Sequence, residues 1–425
     1  MTRTCLALLL GLSLFGCSEK KSAAPAAAPV AVTQAPSLSP NQALALANSD
    51  DAGVTAAEEA VRANMQKDDA WIALGRAWVK KARSSNDPGF YLNASASADV
   101  VLEHDPDNKM ANDLRGLVLL NDHRFEEARE LAAHVTAKHP DDPMAWGTMS
   151  DALLELGRYD EAIAAAQKMV DLKPNLPSYS RASHLQWMRG DAASAKQTVR
   201  AALDAGRDMK RDPEPRAWVL VQAATIFWHE GDYEGAEAGF DKALECVSSF
   251  PPALVGKGRV AMAKGDHARA AELFARAYQA SPLPETAWLL GDAKSAMGDA
   301  KGAADAYAKV EKDGKTTDPR TLSLFYSTRN VNTEEALTLA REEYTKRKDV
   351  YTEDALAWAL YRAGKIDEAK ASITRARRLG TPDARLIYHE GMIRIAAGET
   401  AKGKELVARA MKMNQFVTSQ RTSST

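Results

Sequence analysis

Apolar and polar residues alternate along this chain at the period of an α-helix, and one alanine recurs within that pattern. It stands at Ala94, Ala128, Ala162, Ala195, Ala236, Ala270, Ala303, Ala336 and Ala369. Successive copies lie about 34 residues apart, with one longer step from Ala195 to Ala236, and Gly403 stands where a tenth copy would fall. A period of this length is typical of helical arrays in which each unit packs only on its neighbours. The pattern therefore predicts an elongated, nearly all-α protein.

Each copy carries a similar set of residues around its alanine. A glycine usually lies five positions before it, and mostly apolar residues lie three before, four after and seven after it, as in Gly231, Tyr233, Ala236, Phe240 and Ala243. Glycine readily adopts the left-handed conformation that ends a helix, and alanine allows two helices to approach closely. Prolines that end the second helix follow at Pro106, Pro140, Pro174 and Pro282. Each copy is thus predicted to be two antiparallel helices.

Some copies depart from the regular pattern. The first begins at Trp71 and reaches its alanine about seven residues late, which indicates either a lengthened first helix or a loop. A charged insertion at residues 207–215 accounts for the one longer step between marker alanines. The eighth copy has Val331 at the place of the glycine. Helix ends are predicted at Gly157, Gly190, Gly231, Gly265, Gly298, Gly364 and Gly398, each of which precedes a charged residue.

The paired helices, their near-constant period and this spacing together resemble the tetratricopeptide repeat family, over some ten copies from Trp71 to about Asn414. The resemblance implies an α-solenoid, a right-handed superhelix of about ten helix-turn-helix repeats at residues 71–417. We expect residues 41–70 to form N-terminal capping helices and residues 418–425 to be a disordered tail. In this family the first helix of each repeat lines a concave groove.

The family's groove positions can be mapped onto this chain eight, eleven and fifteen places before each marker alanine, with a further position one turn earlier. In the fourth to tenth copies these positions give a largely aromatic set: His184, Trp187, Trp218, Thr225, Trp228, Arg259, Met262, Trp288, Asp292, Phe325, Tyr351, Trp358, Tyr361, Tyr388 and Met392. Exposed rings and methionines would suit a partner's extended peptide or helix. Alternatively, the same rings pack between successive repeats as core, since large apolar residues are normally buried.

The N-terminus predicts export and a lipid anchor. Arg3 precedes an apolar stretch from Leu6 to Phe15, which is too short to span a bilayer and is typical of a secretory signal. The run from Leu14 to Cys17 resembles the lipobox of bacterial lipoproteins, which implies a signal peptide at residues 1–16 and a lipidated Cys17. In such lipoproteins the residue after the cysteine helps to sort the protein, and Ser18 is not the aspartate that is associated with retention in the inner membrane of enteric bacteria. The resemblance therefore implies an anchor in the outer membrane, facing the periplasm. The alternative is an ordinary cleaved signal in which the cysteine occurs by chance.

Residues 17–40 follow the signal as an Ala/Pro-rich tether, in which closely spaced prolines prevent a continuous helix. The chain has 55 Lys and Arg against 57 Asp and Glu, without a clustered basic block, so we expect no nucleic-acid partner. Cys5 would leave with the signal and Cys246 has no mate, so we expect no intramolecular disulfide.

Motifs for catalysis, metals and cofactors fail on spacing. His229-Glu230 and His389-Glu390 begin like a zinc-protease motif but lack its second histidine. The Gly256-Lys257-Gly258 run resembles part of a phosphate loop but lacks the glycine five places earlier, so we interpret its glycines as helix-packing residues. We therefore expect no catalytic residue, no metal site and no cofactor.

The resulting hypothesis is a membrane-anchored periplasmic scaffold or adaptor that binds a protein or peptide partner, in cell-envelope assembly or secretion. Two alternatives stay open at this stage. One is a structural spacer or oligomeric assembly factor without a peptide groove. The other is an enzyme whose site is assembled from distant repeats, which residue spacing does not reveal.

Overall fold

The computed structural model describes residues 38–46, 49–85, 87–208 and 212–414. Within these ranges the chain forms twenty-two α-helices and no strand. They are α1 (Pro40–Leu44), α2 (Ala52–Ala63), α3 (Asp68–Ser85), α4 (Phe90–His104), α5 (Lys109–Asn121), α6 (Phe125–Lys138), α7 (Pro143–Glu155), α8 (Tyr159–Leu172), α9 (Leu176–Met188), α10 (Ala192–Ala205), α11 (Glu214–His229), α12 (Tyr233–Cys246), α13 (Pro251–Ala263), α14 (His267–Ala280), α15 (Pro284–Ala296), α16 (Ala300–Thr317), α17 (Pro319–Arg329), α18 (Thr333–Lys346), α19 (Val350–Arg362), α20 (Ile366–Ala376), α21 (Ala384–Ala396) and α22 (Thr400–Met413).

The N-terminal and C-terminal predictions fall largely outside this part of the chain. The signal peptide at residues 1–16, Cys17, the tether up to residue 37 and the tail at residues 418–425 lie outside the described residues. Two helices, α1 and α2, occupy the region in which capping helices were expected. None of the described helices has both the length and the apolar composition that crossing a bilayer requires.

The marker alanines lie where the two helices of a pair touch. All nine are on the second helix of their pair, and each is between 0 and 3% exposed. In two pairs the facing helix also carries a small residue, serine, at the contact. The Ser150 hydroxyl donates to the Ala162 carbonyl oxygen at 2.9 Å, and the Ser183 hydroxyl donates to the Ala195 carbonyl oxygen at 2.8 Å. The all-α solenoid predicted from the alanine is confirmed.

The predicted helix ends are also confirmed. The seven glycines that were expected to end first helices have φ between 73° and 84°. Two copies without glycine reach the same left-handed region with another residue, His123 at φ 58° and Asn330 at φ 55°. In the eighth copy, therefore, Asn330 ends α17 one residue before Val331, because asparagine tolerates this conformation better than a β-branched residue does.

The irregular copies also have definite forms. Helix α3 has 18 residues where α5 has 13, so the first copy has a lengthened first helix. Helix α10 ends at Ala205 and α11 begins at Glu214, so the charged insertion falls at this connection and its last two residues begin α11. The Gly256-Lys257-Gly258 run is inside α13, where an added Cβ at either glycine would overlap the ring of Phe240 or Phe274. These two glycines are therefore packing residues, as interpreted from the sequence.

Repeats that are far apart in sequence contact one another directly. The Lys348 amide donates to the Glu155 carbonyl oxygen at 2.8 Å, and the Val350 amide donates to the Tyr159 hydroxyl at 2.8 Å. Trp187 packs in one apolar cluster with Val350 and Leu386. The turn after α7 thus lies against the loop before α19.

The next two turns make equivalent contacts. The Thr381 hydroxyl donates to the Met188 carbonyl oxygen at 2.7 Å, and the Asn414 amide Nδ2 donates to the Trp228 carbonyl oxygen at 3.0 Å. We call these contacts the clasp: residues 155–159, 188–190 and 228–233 on one side, and residues 347–350, 380–381 and 413–414 on the other. Through the clasp, the C-terminal repeats lie against the middle of the same solenoid.

Candidate functional site

The predicted groove residues differ widely in exposure. Six of them are at most 7% exposed: Trp187, Trp228, Met262, Trp288, Phe325 and Trp358. Eight are half-buried: His184, Thr225, Arg259, Asp292, Tyr351, Tyr361, Tyr388 and Met392. Trp218 alone among them is exposed, at 51%. The buried rings fit the alternative in which they pack between successive repeats as core. Trp218 fits the groove expectation, because its exposed ring can contact a partner.

The rings of the last four repeats pack mainly on one another. Trp288, Phe325 and Trp358 share one apolar cluster, against which Tyr361, Tyr388 and Met392 pack. The Trp288 and Phe325 ring centroids are 5.6 Å apart in an edge-to-face arrangement, and Trp358 stacks on His389 at 4.0 Å. Such pairs stabilise a core beyond the area that they bury.

Three other predicted residues have partners within the solenoid. Arg259 forms an ion pair with Glu285 at 2.6 Å. Asp292 accepts a hydrogen bond from the Tyr307 hydroxyl at 2.9 Å, and burial raises the pKa of Asp292 to about 7. The Trp228 ring lies 5.5 Å from that of Tyr233.

The structure brings His184, Trp187, Trp218, Thr225 and Tyr351 together around one concave pocket. Its volume is about 520 Å³. The walls come from α7, α9 and α11, and Tyr351 adds a side from α19, which the clasp holds in place. The other lining residues are Ser150, Asp151, Leu154, Ser180, Arg181, Leu185, Val221, Gln222, Ile226 and His229.

Two polar pairs cross between helices at the pocket wall. Arg181 Nε lies 2.9 and 3.0 Å from the two carboxylate oxygens of Asp151, and Arg181 Nη2 lies 2.7 Å from Asp151 Oδ2. Burial opposes the charge of Arg181, but Asp151 outweighs it and raises the pKa of Arg181. The Ser180 hydroxyl donates to Gln222 Oε1 at 2.6 Å, and Gln222 Nε2 donates to the Ser180 carbonyl oxygen at 2.9 Å. Both pairs hold the wall in one conformation.

An aromatic row forms the other side of the pocket. The centroids of His184 and Trp187 are 6.3 Å apart, and those of Trp187 and His229 are 4.7 Å apart. Burial lowers the pKa of both histidines, against the opposing effects of Asp151 and Asp383, so both rings are neutral at pH 7. With Arg181 balanced by Asp151, the pocket has little net charge. A neutral apolar or aromatic group therefore enters it at the lowest desolvation cost.

The sequence analysis missed Asp151, Ser180, Arg181, Gln222 and His229. The register itself contained a signal for two of them, because Ser180 lies fifteen places before Ala195 and Asp151 lies eleven before Ala162. Both side chains are small and polar, unlike the rings at most other groove positions, and Asp151 belongs to the third copy, which carries none of the predicted groove residues. Across the described residues, no group of three or more His, Cys, Asp or Glu is placed to hold a metal ion.

Comparisons with known proteins agree with the repeat pattern. A tetratricopeptide repeat family model matches residues 114–177 and 223–283. Over 142 residues, which is 31% of this chain, the sequence is 30% identical to cellulose synthase operon protein C of Pseudomonas fluorescens (strain SBW25). The match covers 11% of that protein, so this chain corresponds to a small part of the relative's length.

Three solved structures show a partial likeness. PilW, described as a widely conserved type IV pilus biogenesis factor, has a TM-score of 0.41 and 16% identity, covering 52% of this chain and 98% of that one. A tetratricopeptide repeat protein from Parabacteroides merdae ATCC 43184 has a TM-score of 0.43 and 17% identity, covering 59% and 98%. The human IFIT1 dimer with PPP-AAAA has a TM-score of 0.48 and 14% identity, covering 88% and 94%.

The paired helices, the alanine contacts and the concave pocket define an α-solenoid repeat protein. The two stretches matched by the family model include the complete helix pairs α7–α8 and α13–α14. The family model thus identifies tetratricopeptide repeats in these two stretches, and the other helix pairs resemble them. Repeats of this family generally mediate interactions between proteins.

Proposed function

We propose that this protein is a lipid-anchored periplasmic scaffold that binds a segment of a protein partner in its concave pocket, in cell-envelope assembly or secretion. The segment inserts an apolar or aromatic side chain beside Trp218, and the rest of it runs along α9 and α11. The repeats act as a rigid support for this contact and contribute no catalytic group.

The exposed Trp218 ring is the observation that carries the proposal. It is 51% exposed at the rim of a pocket of about 520 Å³, although most other tryptophans of the predicted groove are buried. Phe250 lies 5.2 Å away, edge to face, and supports the ring from behind. A large ring that is held in place and open to solvent buries much area on binding at a small entropic cost.

The proposed location at a membrane in the periplasm is supported by the N-terminal signal sequence and not by the folded repeats. Cleavage before Cys17 and its lipidation would attach the chain to a membrane, with residues 17–40 as a tether between the lipid and the solenoid. Several acyl chains hold a protein at a membrane durably, because each buried methylene contributes about 0.8 kcal/mol. The stretch of likeness to cellulose synthase operon protein C makes components of a cellulose synthase system one class of partner to test.

Site-specific photo-crosslinking in intact cells tests the pocket. A photoreactive phenylalanine analogue replaces Trp218 in one strain and Leu283 in another; Leu283 is 54% exposed and does not line the pocket. We expect a discrete covalent adduct from position 218 that is absent from position 283. The adducted peptide identifies the segment, which should centre on an apolar or aromatic residue.

The outcome is decisive in both directions. Adducts of equal yield from both positions, or an adduct from position 283 alone, would contradict binding in the pocket. Alanine at Trp187, Trp228 and Trp358 together is a poor test, because these rings are at most 7% exposed and their removal would disrupt packing. Trp218 is the one large ring of the set that can be changed without opening a core cavity.

A further inference from the structure

The clasp holds the three helices that form the walls of the pocket. Helix α7 ends at Glu155, whose carbonyl oxygen accepts a hydrogen bond from the Lys348 amide at 2.8 Å. Helix α9 ends at Met188, whose carbonyl oxygen accepts one from the Thr381 hydroxyl at 2.7 Å. Near the end of α11, a third carbonyl oxygen accepts one from Asn414 Nδ2 at 3.0 Å. The last turn of each wall is thus bonded to a distant repeat, at carbonyl groups that lie beyond the regular bonding of the helix.

The same distant repeats also contact side chains that line the pocket. Trp187 lines the pocket and shares an apolar cluster with Val350 and Leu386. Nδ1 of the pocket residue His229 lies 3.9 Å from Oδ2 of Asp383. The positions of two pocket rings therefore depend on residues from the far side of the clasp.

One pocket residue, Tyr351, itself comes from the far side of the clasp. Its backbone is fixed at the start of α19, because its own amide donates to Asp349 Oδ1 at 2.9 Å and the Val350 amide donates to the Tyr159 hydroxyl at 2.8 Å. Its side chain is half-buried, and its hydroxyl makes no hydrogen bond to any residue that the structure describes. A tyrosine hydroxyl away from bulk solvent normally has a partner, so this one is available to a group that enters the pocket.

Opening of the clasp does not require any helix pair to unfold. The hydrogen bonds across the clasp are made by turns and helix ends, whereas each pair is held together by its own alanine contact. Ala162 and Ala195, for example, are fully buried within their pairs. Local openings of this kind cost less free energy than global unfolding, and segments that move on binding are drawn from them.

We propose that Tyr351 is a binding residue for the partner segment, and that occupation of the pocket is thereby coupled to closure of the clasp. The Tyr351 hydroxyl donates to a carbonyl oxygen of the segment whose apolar or aromatic side chain lies beside Trp218. This inference rests on the proposed function. A segment that contacts both α11 and α19 binds the closed form better than an open one, so it shifts the chain toward closure. Linkage is reciprocal, so closure raises the affinity for the segment by the same factor.

Titration with N-acetyl-tryptophanamide tests the role of Tyr351, because this probe carries an aromatic ring between two amide groups. The shift of the Trp218 indole NMR signal in the full chain gives its affinity. Tyr351→Phe removes only the hydroxyl, and we expect the affinity to fall about fivefold, as for the loss of one hydrogen bond. Tyr278→Phe is the matched control, because Tyr278 is a half-buried tyrosine on α14, outside the pocket and the clasp. It should bind the probe like the wild type.

Hydrogen exchange of the full chain measures the coupling to the clasp. The amides of Lys348 and Val350 are the reporters, because both donate across the clasp. A probe that binds only the closed form should raise their protection about tenfold when it is present at about ten times its Kd. Peptides from α14 and α15, which are outside the clasp, should not change. Without the probe, Tyr351→Phe should protect both amides as the wild type does, whereas a purely structural role of the hydroxyl predicts lower protection.

The outcomes separate this inference from the proposed function. Suppose that Trp218→Ala loses the probe, as the proposed function requires. Equal affinity of wild type and Tyr351→Phe, or clasp protection that the probe leaves unchanged, would then overturn the coupling while the pocket proposal stands. Probe binding that is absent from the wild type, or equal in wild type and Trp218→Ala, would contradict the pocket and the coupling together.

Discussion

Alanine substitutions at the glycines that end the first helices form a graded test of the clasp. Gly157 and Gly265 hold the same place in their repeats, with φ of 73° and 79°. An added Cβ at Gly157 would lie 2.5 Å from the Lys348 carbonyl oxygen, whereas at Gly265 nothing lies within 4 Å. Both variants carry the strain of a left-handed alanine, about 1–2 kcal/mol. Only Gly157→Ala also pushes on the clasp.

The extra cost of Gly157→Ala can be worked out from this contact. The Lys348 loop must move for the Cβ to fit, which costs about 1–3 kcal/mol, as other overpacking changes do. Movement also weakens the hydrogen bond from the Lys348 amide to Glu155, worth about 1 kcal/mol. The total of about 1–4 kcal/mol predicts that clasp opening increases at least about 5-fold relative to Gly265→Ala.

Hydrogen exchange over residues 345–352 provides the assay, with circular dichroism to establish that both variants stay helical. Gly231→Ala should resemble Gly157→Ala, because its Cβ would lie 2.6 Å from the Met413 carbonyl oxygen and affect residues 410–414. Gly190→Ala should be milder, since its Cβ would lie 3.2 Å from the Gly380 carbonyl oxygen. Equal exchange at the clasp in Gly157→Ala and Gly265→Ala would refute contact between these distant repeats in solution.

Three further predictions follow from the packing, the clasp and the N-terminus. Ala270→Leu should lower the free energy of unfolding by about 1–3 kcal/mol, whereas Ala275→Leu on the exposed side of α14 should have little effect. Urea titration of both variants measures this difference, and equal stability would contradict the need for a small residue at the helix contact. Tyr159→Phe leaves the Val350 amide without its acceptor at 2.8 Å, so it should weaken the clasp by about 1–3 kcal/mol, and unchanged exchange at Val350 would argue against this bond. Cys17→Ser should move the protein from the membrane to the soluble fraction after cell breakage, and membrane retention would contradict the lipid anchor.

The sequence was sufficient for the local architecture because each repeat contacts mainly its neighbours. A left-handed residue and a small contact residue are both visible in single positions, such as Gly265 and Ala270. The first copy was ambiguous because its lengthened helix could also have been a loop, and the eighth because Asn330 replaces glycine one position away from the expected place. Residue type thus determined helix ends and helix contacts almost copy by copy.

The clasp and the pocket could not be predicted in the same way. Whether the turn at Gly157 meets the loop at Lys348 depends on the small rotations of all the repeats between them, and no single residue encodes that sum. The aromatic register therefore identified Trp187 and Trp218 equally well, although the former is 5% exposed and the latter 51%. Trp187 is buried because distant repeats pack on it through Val350 and Leu386, whereas Trp218 stays exposed. The register of one repeat does not contain this difference.

Binding of the segment identified by crosslinking is the most direct test of the scaffold account. Calorimetric titration should give one segment bound per chain. Trp218→Ala should weaken binding about 30-fold, as removal of a central aromatic anchor costs about 2 kcal/mol or more. Leu283→Ala, at a site of similar exposure outside the pocket, should bind like the wild type. Equal affinity of the Trp218→Ala and wild-type chains would contradict the claim that this pocket holds the partner.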